Sequence, residues 1–283
     1  MASSLLTLPL DLIRDILYRV PAESLVRTKT TRKQLYTLIN DKEFIYGHLA
    51  RSEETFLRTD QTTHQSQTTS NQTFYPMGHC DGLTLCMWST ESSLFAKLVL
   101  WNPLTRKINL VQPSPIQRRF RAYDSYGLGY DTNKPQREYK ILKFSLKHYV
   151  GEVEIFDCNT KSWKILDVGK VDRGVRRYCN GVSVDGNMYW LGRNQKRNYI
   201  LGFDFSLEKF NDIYLFPCDS NYPDEDTYLG GYNGDCLSLV EQNQEQTSPI
   251  VVSVSSKLAN GNVSFTKYFS VARPDLPALR TSH

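Results

Sequence analysis

Glu154-Ile155-Phe156-Asp157-Cys158-Asn159-Thr160-Lys161-Ser162-Trp163 holds two short apolar runs around a polar turn, and the same arrangement stands twice more in the chain. Val99-Leu100-Trp101-Asn102 leads through Pro103 to Arg106 and on to Ile108. Leu201-Gly202-Phe203-Asp204 leads through Phe205 to Glu208 and on to Phe210. In each copy an aromatic ends a strand, Asn or Asp follows it, and an apolar residue stands seven positions beyond the aromatic. An Asn or Asp there can accept from its own backbone two residues on, which caps a turn, so each copy reads as a β-hairpin. The aromatics are 55 and 47 residues apart, close to the roughly 50 residues of a kelch-like propeller blade.

A second element also recurs. Cys80-Asp81-Gly82-Leu83 matches Cys179-Asn180-Gly181-Val182, each some twenty residues ahead of its hairpin. Glycine there suits a tight turn into an inner strand, and Tyr189-Trp190-Leu191 continues one such strand. A fourth, weaker unit runs from Asn233-Gly234 through Ile250–Val254 to Val263–Phe269.

Upstream, the period changes from two to near four. Leu8, Leu12, Ile16 and Val20 recur at intervals of four, with Ile13 and Leu17 beside them, which is the apolar stripe of a helix. Pro9 suits its first turn, and Pro21 closes it by disfavouring helical geometry at Val20. Shorter helices follow at Ala22–Arg27, around Leu35, Leu38 and Ile39, and around Phe44, Ile45 and Leu49. The expected organisation is a helical module over 1–57, a Thr/Gln/Ser-rich linker over 58–73, a β domain over 74–271 and an irregular tail over 272–283. Fifty residues of short helices make a small core, so part of the stripe is expected to stay available to a partner.

Composition narrows the functional classes. A formal net charge of +4 gives no reason to expect a nucleic-acid partner, although basic residues gather at Arg118, Arg119 and Arg121 and at Lys170, Arg173, Arg176 and Arg177. No stretch reaches the ~20 apolar residues of a membrane span, and the start carries no secretion signal. The six cysteines, Cys80, Cys86, Cys158, Cys179, Cys218 and Cys236, form no CxxC pair, which suits a cytoplasmic or nuclear protein.

Leu8-Pro9-Leu10-Asp11-Leu12-Ile13, Ile16-Leu17, Val20-Pro21 and Ser24-Leu25-Val26-Arg27, ending at Phe44 and His48-Leu49, resemble the F-box motif in order and spacing. The β region resembles the type 1 F-box-associated β-propeller of plant F-box proteins. The matching pieces are Gly78-His79-Cys80-Asp81-Gly82, Trp101-Asn102-Pro103, Gly127-Leu128-Gly129-Tyr130-Asp131, Tyr139-Lys140-Ile141-Leu142, Ser162-Trp163-Lys164 and Phe203-Asp204-Phe205. The fold class this implies is α+β multidomain, a three-to-four-helix F-box followed by an all-β, kelch-like and incomplete propeller. The resemblance implies a plant substrate receptor that docks on a Skp1-like adaptor, and through it a cullin, while its β domain holds a target protein.

The adaptor-binding residues so implied are Leu8, Pro9, Leu12, Ile13, Ile16, Leu17, Val20, Pro21, Leu25 and Val26. Family members usually carry Cys-Lys-x-Trp in the third helix, where this chain has Arg32, Lys33, Gln34 and Leu35. Target-contact candidates lie where loops of one propeller face are expected: Tyr126, Arg173, Arg176, Arg177, Tyr178, Arg193, Arg197 and Tyr222.

Other chemistry is set aside. Asn102, Asp157 and Asp204 occupy equivalent repeat positions, which makes them turn residues and not a unique carboxylate pair. Gly127-x-Gly129 lacks the strand-to-helix setting of a nucleotide loop. His79, Cys80 and Cys86 lack a second pair at zinc spacing, and no nucleophile elbow is present. No enzyme activity, metal or cofactor is expected. The rival readings are a ligand- or carbohydrate-binding propeller whose helices pack on it in cis, an F-box that no longer engages the ligase, and an enzyme with its site in the propeller channel.

Overall fold

In the computed structural model, the described residues are 8–28, 33–39, 41–49, 51, 72–90, 97–102, 107–115, 124–145, 153–167, 174–175, 181–193, 198–214, 227–242, 249–258 and 263–272. Four helices come first: α1 (Leu10–Tyr18), α2 (Ala22–Thr28), α3 (Lys33–Ile39) and α4 (Lys42–Leu49). Pro9 sits at the N-cap of α1 with φ −53° and ψ 146°. Its carbonyl accepts from Ile13 N at 3.2 Å, so the proline lies one position before the helix proper. Pro21 ends α1 and also starts α2, its carbonyl accepting from Ser24 N and Leu25 N. Asp41 caps α4 through Oδ1, which accepts from Phe44 N at 3.1 Å.

Leu17, Leu25, Leu38, Ile39 and Phe44 form the core of these helices, with Ile13, Tyr18, Val20 and Leu35 packed against it. Tyr18 stacks on Phe44 at 4.9 Å between ring centroids. His48 Nε2 donates to the Val20 carbonyl at 2.8 Å, tying the last turn of α4 to the end of α1.

Among the described residues, seventeen strands follow in four antiparallel sheets. The first sheet holds β1 (Gln72–Cys80), β2 (Leu83–Thr90), β3 (Lys97–Asn102) and β4 (Lys107–Leu110). The second holds β5 (Asp124–Tyr130), β6 (Tyr139–Ser145), β7 (Val153–Asp157) and β8 (Ser162–Leu166). The third holds β10 (Val182–Val184), β11 (Asn187–Arg193), β12 (Asn198–Asp204) and β13 (Lys209–Tyr214), with β9 (Gly174–Val175) also paired to β11. The fourth holds β14 (Thr227–Tyr232), β15 (Cys236–Glu241), β16 (Ile250–Ser255) and β17 (Phe265–Val271). Each sheet runs in sequence order, as a propeller blade does. β1 starts at Gln72, two residues before the expected domain boundary. Residues 58–71 of the expected linker and 273–283 of the tail lie outside the described residues.

The repeat seen in sequence is a register. Trp101 pairs Ile108, Phe156 pairs Trp163, and Phe203 pairs Phe210, so each aromatic faces its apolar partner directly across a hairpin. Asp157 Oδ1 accepts from Asn159 N and Thr160 N at 2.7 and 3.0 Å. Asp204 Oδ1 accepts from Ser206 N and Leu207 N at 2.8 and 2.9 Å. Lys161 and Glu208 then take positive φ, 54° and 52°, which completes both turns in the same way.

The second repeated element is corrected. The residues equivalent to Asp81-Gly82 are Asp185-Gly186 and Asn233-Gly234, which turn β1 into β2, β10 into β11 and β14 into β15. All six have positive φ; Asp81-Gly82 and Asp185-Gly186 form two-residue hairpin turns, which favour Asp-Gly, while Asn233-Gly234 turns with Asp235 as a third residue. Gly181 instead precedes β10, and Cys179 and Asn180 lie outside the described residues. Tyr189-Trp190-Leu191 accordingly belongs to the second strand of its sheet.

Three cores stack the sheets in an arc. One joins the first sheet to the second (Leu85, Leu100 with Leu128, Ile141, Phe156). The next joins the second to the third (Phe144, Ile155 with Met188, Trp190, Phe203). The last joins the third to the fourth (Val184, Ile200 with Leu237, Leu239). No core among the described residues joins the fourth sheet to the first.

Candidate functional site

Three places could carry function: the helices, the axis between the sheets and the two ends of the arc. The helical stripe divides by side. Leu17 and Leu25 are buried, and Ile13 and Val20 are packed against the same core, so these four face inward. Leu12 and Ile16 point the other way, 50% and 45% exposed, with Leu8 and Leu10 also exposed. Pro9 and Pro21 are exposed, and the Val26 side chain lies outside what is described. Isolated exposed leucines are common, but Leu12 and Ile16 stand one turn apart on the same face of α1, and neither joins the helical core among the described residues. Leu35, standing where the motif usually has Trp, packs against the helical core.

Met188 and Trp190 are fully buried in the core between the second and third sheets. A Cβ at Gly127 would come within 2.8 Å of the Trp190 ring, so glycine is what lets β5 approach it. A Cβ at Gly129 would overlap the Gly186 carbonyl and the Phe205 ring. Tyr130 N donates to that Gly186 carbonyl at 3.0 Å, fixing the second sheet against the third.

One end of the arc is stapled. Asp81 accepts from Arg137 Nη1 at 2.6 Å and from Tyr139 OH at 3.3 Å, joining the first sheet to the second. Burial pushes the Asp81 carboxyl above its usual range, and Arg137 and Tyr139 offset part of that. Glu208 accepts from Lys140 at 2.9 Å and Lys164 at 2.8 Å, joining the third sheet to the second. Burial pushes the Glu208 carboxyl up, but the Lys164 and Lys140 hydrogen bonds outweigh it and leave it lowered. Thr132 N donates to Ser206 Oγ at 2.9 Å beside them.

The opposite end receives the connections between β2 and β3, β4 and β5, β6 and β7, β8 and β9, β11 and β12, β13 and β14, and β15 and β16. Arg193 ends β11 there, the chain positions of Arg173, Arg197 and Tyr222 fall in these connections, and those of Arg176, Arg177 and Tyr178 fall between β9 and β10, all six outside the described residues. The Arg193 side chain is likewise outside what is described. The loop position expected for Tyr126 is corrected: it lies within β5, 3% exposed, in the core between the first two sheets. Alternation along β5 puts Tyr126, Leu128 and Tyr130 on that inward face.

Beside Tyr126 lies a buried ion pair that the sequence reading missed. Lys143 Nζ is 3.0 Å from Glu154 Oε2, with side chains 6% and 2% exposed, and Ser114 Oγ donates to Glu154 Oε1. Trp163 Nε1 donates to the Gln112 carbonyl at 2.7 Å, so Val111–Pro115 is strapped onto the second sheet. Lys143 and Glu154 pair directly across β6 and β7, which puts both side chains on one face of the second sheet.

Thiol chemistry is unfavourable. Burial pushes Cys80 up to about 12, Cys86 to about 11 and Cys158 to about 12, away from the thiolate that a nucleophile or metal ligand needs. Among the described residues no cluster of His, Cys, Asp and Glu is placed to hold a metal ion, and no helix is long and apolar enough to cross a membrane.

Comparison with known proteins agrees with this architecture. The model of the F-box associated beta propeller domain matches residues 36–282. The provisionally named F-box protein At3g10430 of Arabidopsis thaliana is 41% identical, over 97% of this chain and 78% of its own length. F-box protein At3g08750 of the same plant is 40% identical, over 96% of this chain and 76% of its own. The Arabidopsis F-box/WD-40 repeat-containing protein 1 is 37% identical, over 96% and 70%.

Proposed function

The chain belongs to the plant F-box proteins that carry the F-box-associated β-propeller domain, and from that premise we propose that it is the substrate-recognition subunit of a Skp1–cullin–F-box ubiquitin ligase. It makes and breaks no bond itself. The helices at 1–57 are the F-box, and they dock on a Skp1-like adaptor that links the chain to a cullin. The β domain over 74–271 holds the target, which raises the effective concentration of the target's lysines near the charged ubiquitin carrier.

The observation that carries this reading is the division of α1. One side builds the module's own core through Leu17 and Ile13, while Leu12 and Ile16 stand exposed one turn apart on the other. Burying Leu12 and Ile16 against an apolar partner would contribute on the order of 1 kcal/mol each at half exposure. That exposure weighs against the rival in which the stripe is buried in cis on the β domain. Leu35 packs inward, so the missing aromatic costs the module part of its own core before it costs the interface.

Target recognition belongs to the end that carries the long connections. The other end is tied from sheet to sheet by Asp81–Arg137 and Glu208–Lys140, which leaves it less freedom to vary. A cytoplasmic or nuclear setting suits this role. The test is co-purification: the chain, a plant Skp1-type adaptor and a cullin, co-expressed, should elute as one complex. Elution of the folded chain apart from the adaptor would overturn the proposal.

A further inference from the structure

Phe44, Gly47 and His48 of α4, with Arg51 just beyond it, stand at i, i+3, i+4 and i+7, and all four meet the end of α1. Phe44 stacks on the Tyr18 ring at 4.9 Å, with 8° between the planes. Gly47 faces the same ring, and a Cβ there would come within 2.7 Å of the Tyr18 hydroxyl. His48 Nε2 donates to the Val20 carbonyl at 2.8 Å. Arg51 sets its guanidinium 4.4 Å from the Tyr18 ring centroid and donates from Nη1 to the Gly47 carbonyl at 2.9 Å.

Each residue type is the one its contact requires. The Val20 carbonyl lies just past the C-terminal end of α1, where carbonyls lack intrahelical donors, and Pro21 has no N–H to offer. His48, a buried side chain, supplies the donor. Glycine is a poor residue inside a helix, but at 47 a side chain would push Tyr18 off its stack on Phe44.

The consequence is rotational. Leu17 is the only buried residue of α1 among the described residues, so burial alone holds this short helix weakly about its own axis. At about 100° per residue, Leu12 and Ile16 lie roughly 120° and 160° round the helix from Tyr18. Holding Tyr18 and Val20 therefore decides which flank of the apolar stripe is turned outward. We propose that Gly47 and His48 are positioning residues for adaptor docking, which with Phe44 and Arg51 clamp the end of α1 so that Leu12 and Ile16 face the partner. The inference rests on the adaptor reading above and adds to it the part of the chain that orients the docking face.

The experiment is a titration of a plant Skp1-type adaptor into the purified full chain, for wild type, His48→Leu, His48→Gln and Gly47→Ala, with far-ultraviolet circular dichroism of each. His48→Leu leaves the Val20 carbonyl without its donor and should weaken binding by about tenfold or more. His48→Gln should stay within about threefold of wild type, because its amide N–H can reach the same carbonyl. Gly47→Ala should also weaken binding by about tenfold or more with helix content undiminished, since alanine is the better helix former. Affinity lost without helix, and restored by glutamine, is what a purely structural role would not produce. Binding that His48→Leu and Gly47→Ala both retain would overturn the positioning role and leave the adaptor reading standing. Affinity that falls in all three variants in step with helix signal would overturn it as well. A folded wild type that does not bind would overturn the adaptor reading and this inference with it.

Discussion

Lys143→Met should be among the most damaging single changes in the β domain that alter neither a glycine nor a large apolar residue. The side chains of Lys143 and Glu154 are 6% and 2% exposed and 3.0 Å apart, and Ser114 supplies the other hydrogen bond to the carboxylate. Methionine keeps the length of the stem but leaves Glu154 charged and buried with only the hydroxyl, a loss of about 3–5 kcal/mol. At roughly 2–4 °C per kcal/mol for a domain of this size, the melting temperature should fall by about 6–20 °C. The double variant Lys143→Met, Glu154→Leu removes the orphaned charge and should recover to within about 1–2 kcal/mol of wild type, the remainder being the Ser114 hydroxyl without its carboxylate. Urea unfolding of wild type, both single variants and the double variant closes the cycle, with a coupling above about 2 kcal/mol expected. A Lys143→Met shift below about 1 kcal/mol, the worth of an exposed pair, would refute the reasoning.

Gly129→Ala should prevent stable folding, since its methyl would overlap the Gly186 carbonyl and the Phe205 ring; soluble yield and far-ultraviolet circular dichroism would show this. Asp204→Ala removes the acceptor of two backbone N–H groups and should cost about 1 kcal/mol by urea unfolding. For Glu208, the folded carboxyl is lowered, so its contribution is present above the ordinary value of 4.5 and is lost as pH falls through the folded value. The advantage of wild type over Glu208→Gln should therefore shrink in melts taken below pH 4.5, and by well under 1 kcal/mol because Lys164 is largely exposed.

The β-hairpins were legible because a turn needs a local signal. Asp157 and Asp204 bond within three residues of themselves, and the aromatic seven places before its partner measures a fixed hairpin length. The turn at Asp185-Gly186 was passed over for Asn180-Gly181, because both are polar-glycine pairs and only the pairing of Val184 with Asn187 separates them. Tyr126 looked like a loop residue beside Asp124 and Ser125, and its burial depends on the first sheet, some forty residues away. The Lys143–Glu154 pair was illegible for a similar reason, since Lys143 and Glu154 are eleven positions apart and the strap that brings Ser114 over them is forty residues from Glu154. The division of the α1 stripe into an inward and an outward side was also hidden, because a broad apolar stripe gives the helix but not which flank its neighbours cover.

The most direct measurement is a calorimetric titration of the purified chain with a plant Skp1-type adaptor, repeated with Leu12→Asp, Ile16→Asp and with Leu17 intact. The account predicts saturable one-to-one binding by wild type and at least a hundredfold loss in the variant, with the melting temperature unchanged because both side chains are exposed. Binding that survives both substitutions, or a folded wild type that does not bind, would contradict it.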